Sequence, residues 1–376
     1  MLELSTASDD ALRALVESLG APAFRTAQLR RAAWRPSAAT LADCVELPAG
    51  LRGALLDAGL SFRSVDTAAA VEADGGNTLK LLCRLRDGET VETVAMETPP
   101  RAGSSRRATV CVSTQVGCAV GCPFCATARL GLRRSCTPAE IVDQVRAASA
   151  ELAARGLGPV THVVYMGMGE PLANLEATVE SLRALVAGGG ISPRRITVST
   201  SGLVPAIDHL AGTGVPVTLA VSLHAADDEL RDRLVPVNRA HPIEALVAAA
   251  SRYATRTGRR VSLEWCLIGG VNDSLAQARG LARIARSCRA HVNVIPMNHI
   301  AGSPWGPPAP EQTRAFLGEL RGISATVRDT RGAEVDGACG QLRAALEPRR
   351  SPRPDGSLGP PRRRTAAGAA GSGAGR

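Results

Sequence analysis

Three cysteines stand close together at Cys118-Ala-Val-Gly-Cys122-Pro-Phe-Cys125. A loop that short can wrap all three soft thiolates around one metal centre. Zinc modules generally use four ligands arranged as paired C-x2-C units. The C-x3-C-x2-C spacing instead suggests a [4Fe–4S] cluster in which one iron lacks a protein ligand. An open iron can chelate an amino and a carboxylate group. S-adenosylmethionine (SAM) carries both, beside a sulfonium that one electron can cleave. Zinc ligands or buried core cysteines remain the plainer reading of the trio taken alone. There are ten cysteines in all, and in a reducing compartment that number argues for metal or thiol chemistry rather than a disulfide framework.

Four other polar segments recur downstream: Gly167-Met-Gly169-Glu170-Pro171, Ser199-Thr-Ser-Gly, Ser222-Leu223-His224-Ala and Pro296-Met297-Asn298. One polar residue at a strand end is usually a cap or turn former. Four at corresponding positions outline a ligand site. In the first, backbone carbonyls and the Glu170 carboxylate suit an ammonium group.

These residues need a scaffold that brings them together. Apolar, β-rich runs recur at 108–114, 160–166, 194–200, 215–223, 260–268 and 291–297. Helical patterns separate them at 138–154, 174–187, 204–211, 243–257, 274–288 and 311–321. Thr137, Pro138 and Glu140 form an N-cap, a first-turn proline and a capping-box glutamate. Ile141, Val142, Val145 and Leu152 then make one apolar face. Six alternations predict an α/β fold with a parallel sheet, an open doubly wound sheet or a partial barrel, and the strand C-termini should carry the site.

Residues 1–58 read as a small helical accessory domain: Leu12, Leu15, Val16 and Leu19 have helical spacing, and further helices fit 26–33 and 51–58. Residues 59–107 read as a β-hairpin extension, with strands over 79–86 and 90–97 joined at Asp87-Gly88. Residues 108–346 form the core. Residues 347–376 are Pro, Gly, Ala and Arg without apolar period, which predicts a disordered basic tail.

The cysteine spacing after the first of six strand–helix units resembles the radical SAM superfamily. Val91-Glu92-Thr-Val94, Cys111-Val-Ser-Thr-Gln-Val-Gly and Asp336-Gly-Ala-Cys339-Gly-Gln-Leu narrow the resemblance to the RlmN-type adenine methyltransferases, from about residue 75 to 346. It implies a partial (β/α)6 radical SAM barrel with the small helical N-terminal domain and the β-hairpin extension. The cluster ligands would be Cys118, Cys122 and Cys125. The SAM site would comprise Gly169, Glu170, Ser199, Ser222, Leu223, His224 and Asn298. Met297 departs from the aromatic residue often found there.

The resemblance also implies a mechanism. A first SAM methylates Cys339. A second, cleaved on the open iron, yields a radical that takes hydrogen from the S-methyl group, and the methylene radical adds to carbon-2 of adenine. Cys111 then attacks the Cys339 sulfur, giving a disulfide and the methylated base, while Glu92 accepts the proton. An external thiol, or an electron donor such as flavodoxin or ferredoxin, reduces the disulfide. The implied partner is 23S ribosomal RNA before full ribosome assembly, and transfer RNA in addition. Cys44, Cys83, Cys136, Cys266 and Cys288 match no motif and read as structural.

Composition limits the partners further. Net charge is +9, but seven arginines and one aspartate after position 347 leave only +3 on the rest. Lys80 is the sole lysine among 44 basic residues, a skew that looks like a base-composition bias and weakens arguments from arginine number. Four Phe, three Trp and two Tyr are too few for base-stacking platforms. Arg106, Arg107, Arg129, Arg133 and Arg134 flank the cysteine loop and are candidate phosphate contacts. No apolar run approaches the ~20 residues a bilayer needs, and MLELSTASDD lacks the apolar stretch of a secretory signal. The expectation is a cytoplasmic monomer. Three alternatives stay open: the Cfr-type branch, which methylates carbon-8 of the same adenine and confers antibiotic resistance; a radical SAM enzyme for a small molecule or protein; and a non-catalytic iron–sulfur RNA-binding protein.

Overall fold

A computed structural model describes residues 1–99, 106–300, 302–328, 332, 335–338 and 340–342. Cys339 and the basic tail lie outside the described residues.

The first two short strands, β1 (Leu2–Glu3) and β2 (Leu60–Ser61), pair in parallel and bracket helices α1 (Asp9–Ser18), α2 (Phe24–Ala33) and α3 (Ala49–Asp57). Leu4, Leu12, Val16, Leu29, Leu41, Leu55 and Phe62 give these elements a core of their own. The chain then enters one ten-stranded sheet. Its antiparallel part is β3 (Val65–Ala73), β4 (Thr78–Leu85) and β5 (Thr90–Thr98). The strand β6 (Arg107–Cys111) pairs antiparallel with β5 and parallel with the next barrel strand. A separate antiparallel pair, β7 (Gln115–Gly117) and β8 (Leu132–Ser135), follows.

Strands and helices then alternate: α4 (Pro138–Ala154), β9 (His162–Tyr165), α5 (Leu175–Ala187), β10 (Ile196–Thr200), α6 (Val204–Ala211), β11 (Thr218–Ser222), α7 (Asp228–Leu234), α8 (Ile243–Thr257), β12 (Val261–Leu267), α9 (Leu275–Ser287), β13 (His291–Pro296), α10 (Pro310–Glu319) and β14 (Ala325–Val327). The sheet order is β3-β4-β5-β6-β9-β10-β11-β12-β13-β14, with β6 and β9 to β14 parallel. This is the expected partial barrel, extended at both edges. Val110, Val163, Val198, Leu219, Leu263 and Val292 are fully buried in it. Ile141, Val142, Val145 and Leu152 of α4 pack into the same core, behind the Thr137–Glu140 capping box.

Four features depart from the sequence reading. The run over 108–114 is not one strand: β6 ends at Cys111, and Gln115–Gly117 turns to pair with β8. Strand β3 escapes notice because alanine dominates its VDTAAAVEA sequence, and alanine is depleted in strands. At three residues, β14 is too short to show a period. Helix α7, DELRDRL, has no apolar stripe to announce it.

The accessory helices are pinned to the barrel through α4. Arg146 donates to the carbonyls of Ala33 at 2.6 Å and Phe62 at 2.7 Å, and pairs with Asp143 at 2.7 Å. Asp143 in turn accepts from the amide and hydroxyl of Ser64, both at 2.7 Å. Both charged side chains are almost fully buried. Breaking a buried pair by removing one partner costs about 3–5 kcal/mol, because it strands the other charge. Arg146→Ala is therefore expected to lower unfolding stability by that amount and to open the joint between α2 and α4. Urea unfolding and limited proteolysis of residues 1–62 measure the two effects.

Candidate active site

The β7–β8 pair is the frame of the cysteine loop. Cys118 N–H donates to the Gly131 carbonyl at 3.0 Å, closing the loop at its neck. Gly117 has φ +81°, and a Cβ there would stand 1.7 Å from the Gly131 oxygen, so the neck admits only glycine. Arg134 fixes the far strand: it bonds both carboxylate oxygens of Glu140 at 2.8 and 2.9 Å and Asp87 at 2.5 Å. Arg133 pairs with Glu89, and Arg106 with Glu97, each at 2.8 Å. These three expected phosphate contacts thus hold carboxylates of the chain itself. Arg107 donates to Thr109 at 3.2 Å.

Inside the frame, Cys118, Cys122 and Cys125 are unbridged and line one cavity of about 180 Å³. Gly167, Gly169, Glu170, Ser199, Ser222, His224, Met297 and Asn298 line it too. Strand C-termini supply nearly all of these, as the parallel sheet requires. Burial pushes the Cys118 thiol up to about 11 and the Cys122 thiol higher still. Burial thus favours the neutral form of these two thiols, and iron bound there would supply the positive charge that makes thiolates stable.

The donor set fits a [4Fe–4S] cluster with one iron left open. Among the described residues no three acidic, His or Cys side chains converge on a single ion; a multi-iron cluster binds one thiolate per iron and does not ask for that convergence. Beside the thiols is a bare backbone cradle. A Cβ on Gly167 would meet the Val112 carbonyl at 2.6 Å, and one on Gly169, at φ +97°, would meet Gln115 at 2.5 Å.

The remaining expected SAM-site residues behave differently from one another. Glu170 is fully engaged with backbone: its carboxylate accepts from Leu172 N–H at 3.0 Å and Ser201 N–H at 2.7 Å, and burial raises its pKa. Ser199 donates to the Tyr165 carbonyl at 2.7 Å. His224, at φ +60°, packs edge-on to Phe124 with centroids 5.0 Å apart. Its Nδ1 accepts from Cys266 N–H at 2.9 Å, which puts the ring proton on Nε2, and burial lowers its pKa to about 3. Leu223 does not line the cavity; its side chain is in the core and its carbonyl accepts from Arg231.

Cys111 and Glu92 are not among the residues that line the cavity. Cys111 ends β6, opposite Val94 and Val164. Glu92, expected on a solvated hairpin face when taken alone, is fully buried and pairs with Lys80 Nζ at 2.7 Å. The C-terminal segment closes the arrangement. Ala126 N–H donates to the Gly340 carbonyl at 2.8 Å, and Thr127 Oγ1 to the Leu342 carbonyl at 2.6 Å. Gln341 donates to the His299 carbonyl at 2.8 Å. Gly340 and Leu342 line the cavity.

A Radical SAM superfamily pattern matches residues 112–279. A protein of Thermobifida fusca named probable dual-specificity RNA methyltransferase RlmN is 47% identical over 343 residues, covering 89% of this chain and 92% of its own. One of the same name from Parafrankia sp. (strain EAN1pec) is 50% identical over 365 residues, 93% of each chain. The chain belongs to the RlmN family of radical SAM methyltransferases. A crystal structure of a radical SAM methyltransferase from Sphaerobacter thermophilus superposes with a TM-score of 0.86 at 46% identity, covering 92% of this chain and all of that one. The cofactors of an RlmN-family protein are a [4Fe–4S] cluster and SAM.

Several residues of this RlmN-family site are not marked by motifs. Cys266, read as structural, lines the cavity, as does Arg328. Glu264 lines it as well, 4% exposed, accepting from Ser262 at 2.7 Å and Asn293 at 2.8 Å. A carboxylate in the apolar run VSLEWCL was the available signal, since such a charge is rarely buried without a task. Arg231 left no signal. It is fully buried and donates to the carbonyls of Ser201, Ser222 and Leu223 and to Asn238 Oδ1, at 2.7 to 3.0 Å.

Among the described residues no helix is long and apolar enough to cross a membrane.

Proposed function

We propose that this chain methylates carbon-2 of an adenine in 23S ribosomal RNA, and in transfer RNA, with Cys339 as the methyl carrier. The printed names of the relatives, dual-specificity RNA methyltransferases, support the substrate class. One observation carries the reading of the residues. The segment on both sides of position 339 is bonded to the cysteine loop at Ala126 and Thr127, and to the Lys80–Glu92 pair through the carbonyls of Val335 and Asp336.

Carbon-2 of adenine lies between two nitrogens and is electron-poor, so it does not displace a sulfonium methyl as a nucleophile. When bound, the cluster and SAM supply the methyl group and, on one-electron reduction, a hydrogen-abstracting carbon radical. The chain supplies the rest. Cys339 sulfur holds the one-carbon unit and tethers it to the base. Glu92 takes the proton from carbon-2. The Cys111 thiolate then forms a bond to the Cys339 sulfur as the sulfur–carbon bond breaks. The released carbon gains one proton to become methyl, and the adduct's one surplus electron would return to the cluster, the source that spent one on cleaving SAM. Two electrons from flavodoxin or ferredoxin reopen the disulfide.

The target base must leave its stack to enter a barrel mouth, which suits RNA that is not yet fully assembled into a ribosome. An RNA substrate and an oxidation-prone cluster suit a monomer working in a reducing cytoplasm. The test is anaerobic: reconstituted enzyme, SAM, reductant and unmodified ribosomal or transfer RNA, then digestion and nucleoside mass spectrometry. The expected product is 2-methyladenosine from both RNAs. Formation of 8-methyladenosine would assign the Cfr-type reaction, and SAM cleavage without any methyladenosine would refute the RNA substrate.

A further inference from the structure

In a chain whose other 43 basic side chains are arginine, the single lysine occupies a buried position on β4, 1% exposed. Lys80 is opposite Val94 and Glu92 opposite Leu82, so the two are diagonal neighbours on one face of the β4–β5 ladder. Lys80 Nζ is 2.7 Å from Glu92 Oε1, 2.9 Å from the Val335 carbonyl and 3.3 Å from the Asp336 carbonyl. An ammonium has three N–H donors diverging from one point, and three acceptors among the described residues surround that point. A guanidinium spreads five donors over a rigid planar fork and does not reproduce this geometry.

The acceptors come from two functional parts. Glu92 belongs to the sheet, whereas Val335 and Asp336 belong to the C-terminal segment, more than 240 positions away. That segment has a further tie on the same side: Asp74 accepts from Gly332 N–H at 2.9 Å and from Thr78 Oγ1 at 2.5 Å. Asp336 itself has φ +52°, a left-handed conformation that directs its carbonyl back at the ammonium.

We propose that Lys80 is a positioning residue that couples docking of the segment carrying Cys339 to the orientation of Glu92. The inference rests on the assignment of Cys339 as methyl carrier and Glu92 as proton acceptor. With the segment docked, the ammonium is centred between its two carbonyls and fixes Oε1 of Glu92. With it lifted, the ammonium loses two acceptors and the carboxylate loses its fixed orientation. The proton acceptor is thus set only when the methyl-carrying segment is in place.

The test uses the full chain with its cluster reconstituted, in the Lys80→Met, Glu92→Gln and double variants. Three readouts are taken: cluster absorbance, methylation of Cys339 by peptide mass spectrometry, and methyladenosine formed alongside covalent protein–RNA adduct on denaturing gels. Lys80→Met is expected to keep its cluster and its methylated Cys339, to lose product formation by about 100-fold, and to accumulate adduct, as loss of proton transfer predicts. Lys80→Arg should not restore product. Adding Lys80→Met to Glu92→Gln should cost nothing more, because the lysine acts through the glutamate. The double variant also removes both buried charges together, so its fold is safeguarded. Additive losses, or parallel falls in cluster, Cys339 methylation and product, would overturn the proposal. Persistent methyl transfer in a Cys339→Ala variant would instead overturn the carrier assignment beneath it.

Discussion

Cys339→Ala is expected to abolish methyl transfer, by about 10⁴-fold or more, since the lost group forms the covalent link and no neighbour replaces it. Cluster absorbance and reductive cleavage of SAM should stay near wild-type levels, because the expected ligands Cys118, Cys122 and Cys125 are on a separately framed loop. The anchors of the C-terminal segment also survive the change: they are backbone carbonyls of Val335, Asp336, Gly340 and Leu342 and the side chain of Gln341. Cys111→Ala should fail later. It leaves the tethered base with no thiolate to release it, so a covalent protein–RNA adduct should build up on denaturing gels. Single-turnover assays with labelled SAM separate the two. Methyl transfer by the Cys339→Ala enzyme would end the methyl-cysteine reading.

Arg231→Met should have the largest effect on the SAM side of the cavity. Two terms compete. Burial holds the Arg231 guanidinium down to about 10, so removing the cation recovers part of its desolvation cost. Against that, the carbonyls of Ser201, Ser222 and Leu223 and the Asn238 oxygen lose their donors. Each buried group left unsatisfied costs about 1–3 kcal/mol, so the second term wins and the net loss should be roughly 3–5 kcal/mol. Because these carbonyls end β10 and β11, SAM affinity should fall about tenfold or more as the strand ends splay. Chemical denaturation and equilibrium dialysis read the two numbers. Arg231→Lys should not rescue either, since one ammonium cannot span four acceptors set around a planar fork. Unchanged stability and affinity in Arg231→Met would refute this account.

The barrel was legible because its signals are local. The span of α4 matches the reading because Thr137, Pro138 and Glu140 mark its start, and α8 ends at Gly258, a left-handed cap. The cavity was legible for the same reason: motifs after consecutive parallel strands must meet at one end of the sheet, and Ser199, Ser222, His224 and Asn298 meet the three cysteines there. What stayed hidden depends on distant partners. DELRDRL has no apolar stripe to mark it as a helix, and nothing within it says that Arg231 turns inward to three strand-end carbonyls. Arg133 and Arg134 read as candidate phosphate contacts because their partners Glu89 and Asp87 are more than forty positions away. Lys80 was conspicuous as the lone lysine, yet its partners on β5 and near the C-terminus cannot be read from the strand TLKLLCRL.

The fastening of the C-terminal segment also has a consequence for biosynthesis. The chain is made from its N-terminus, so β13 and every barrel strand before it emerge ahead of residues 332–342. Bonds such as Lys80 to Val335 and Asp74 to Gly332 are highly non-local, and contacts of that kind close late. Until they close, Gly340 and Leu342 have not yet come over the cavity. A nascent barrel therefore passes through a stage in which its three thiols are not yet covered by Gly340 and Leu342.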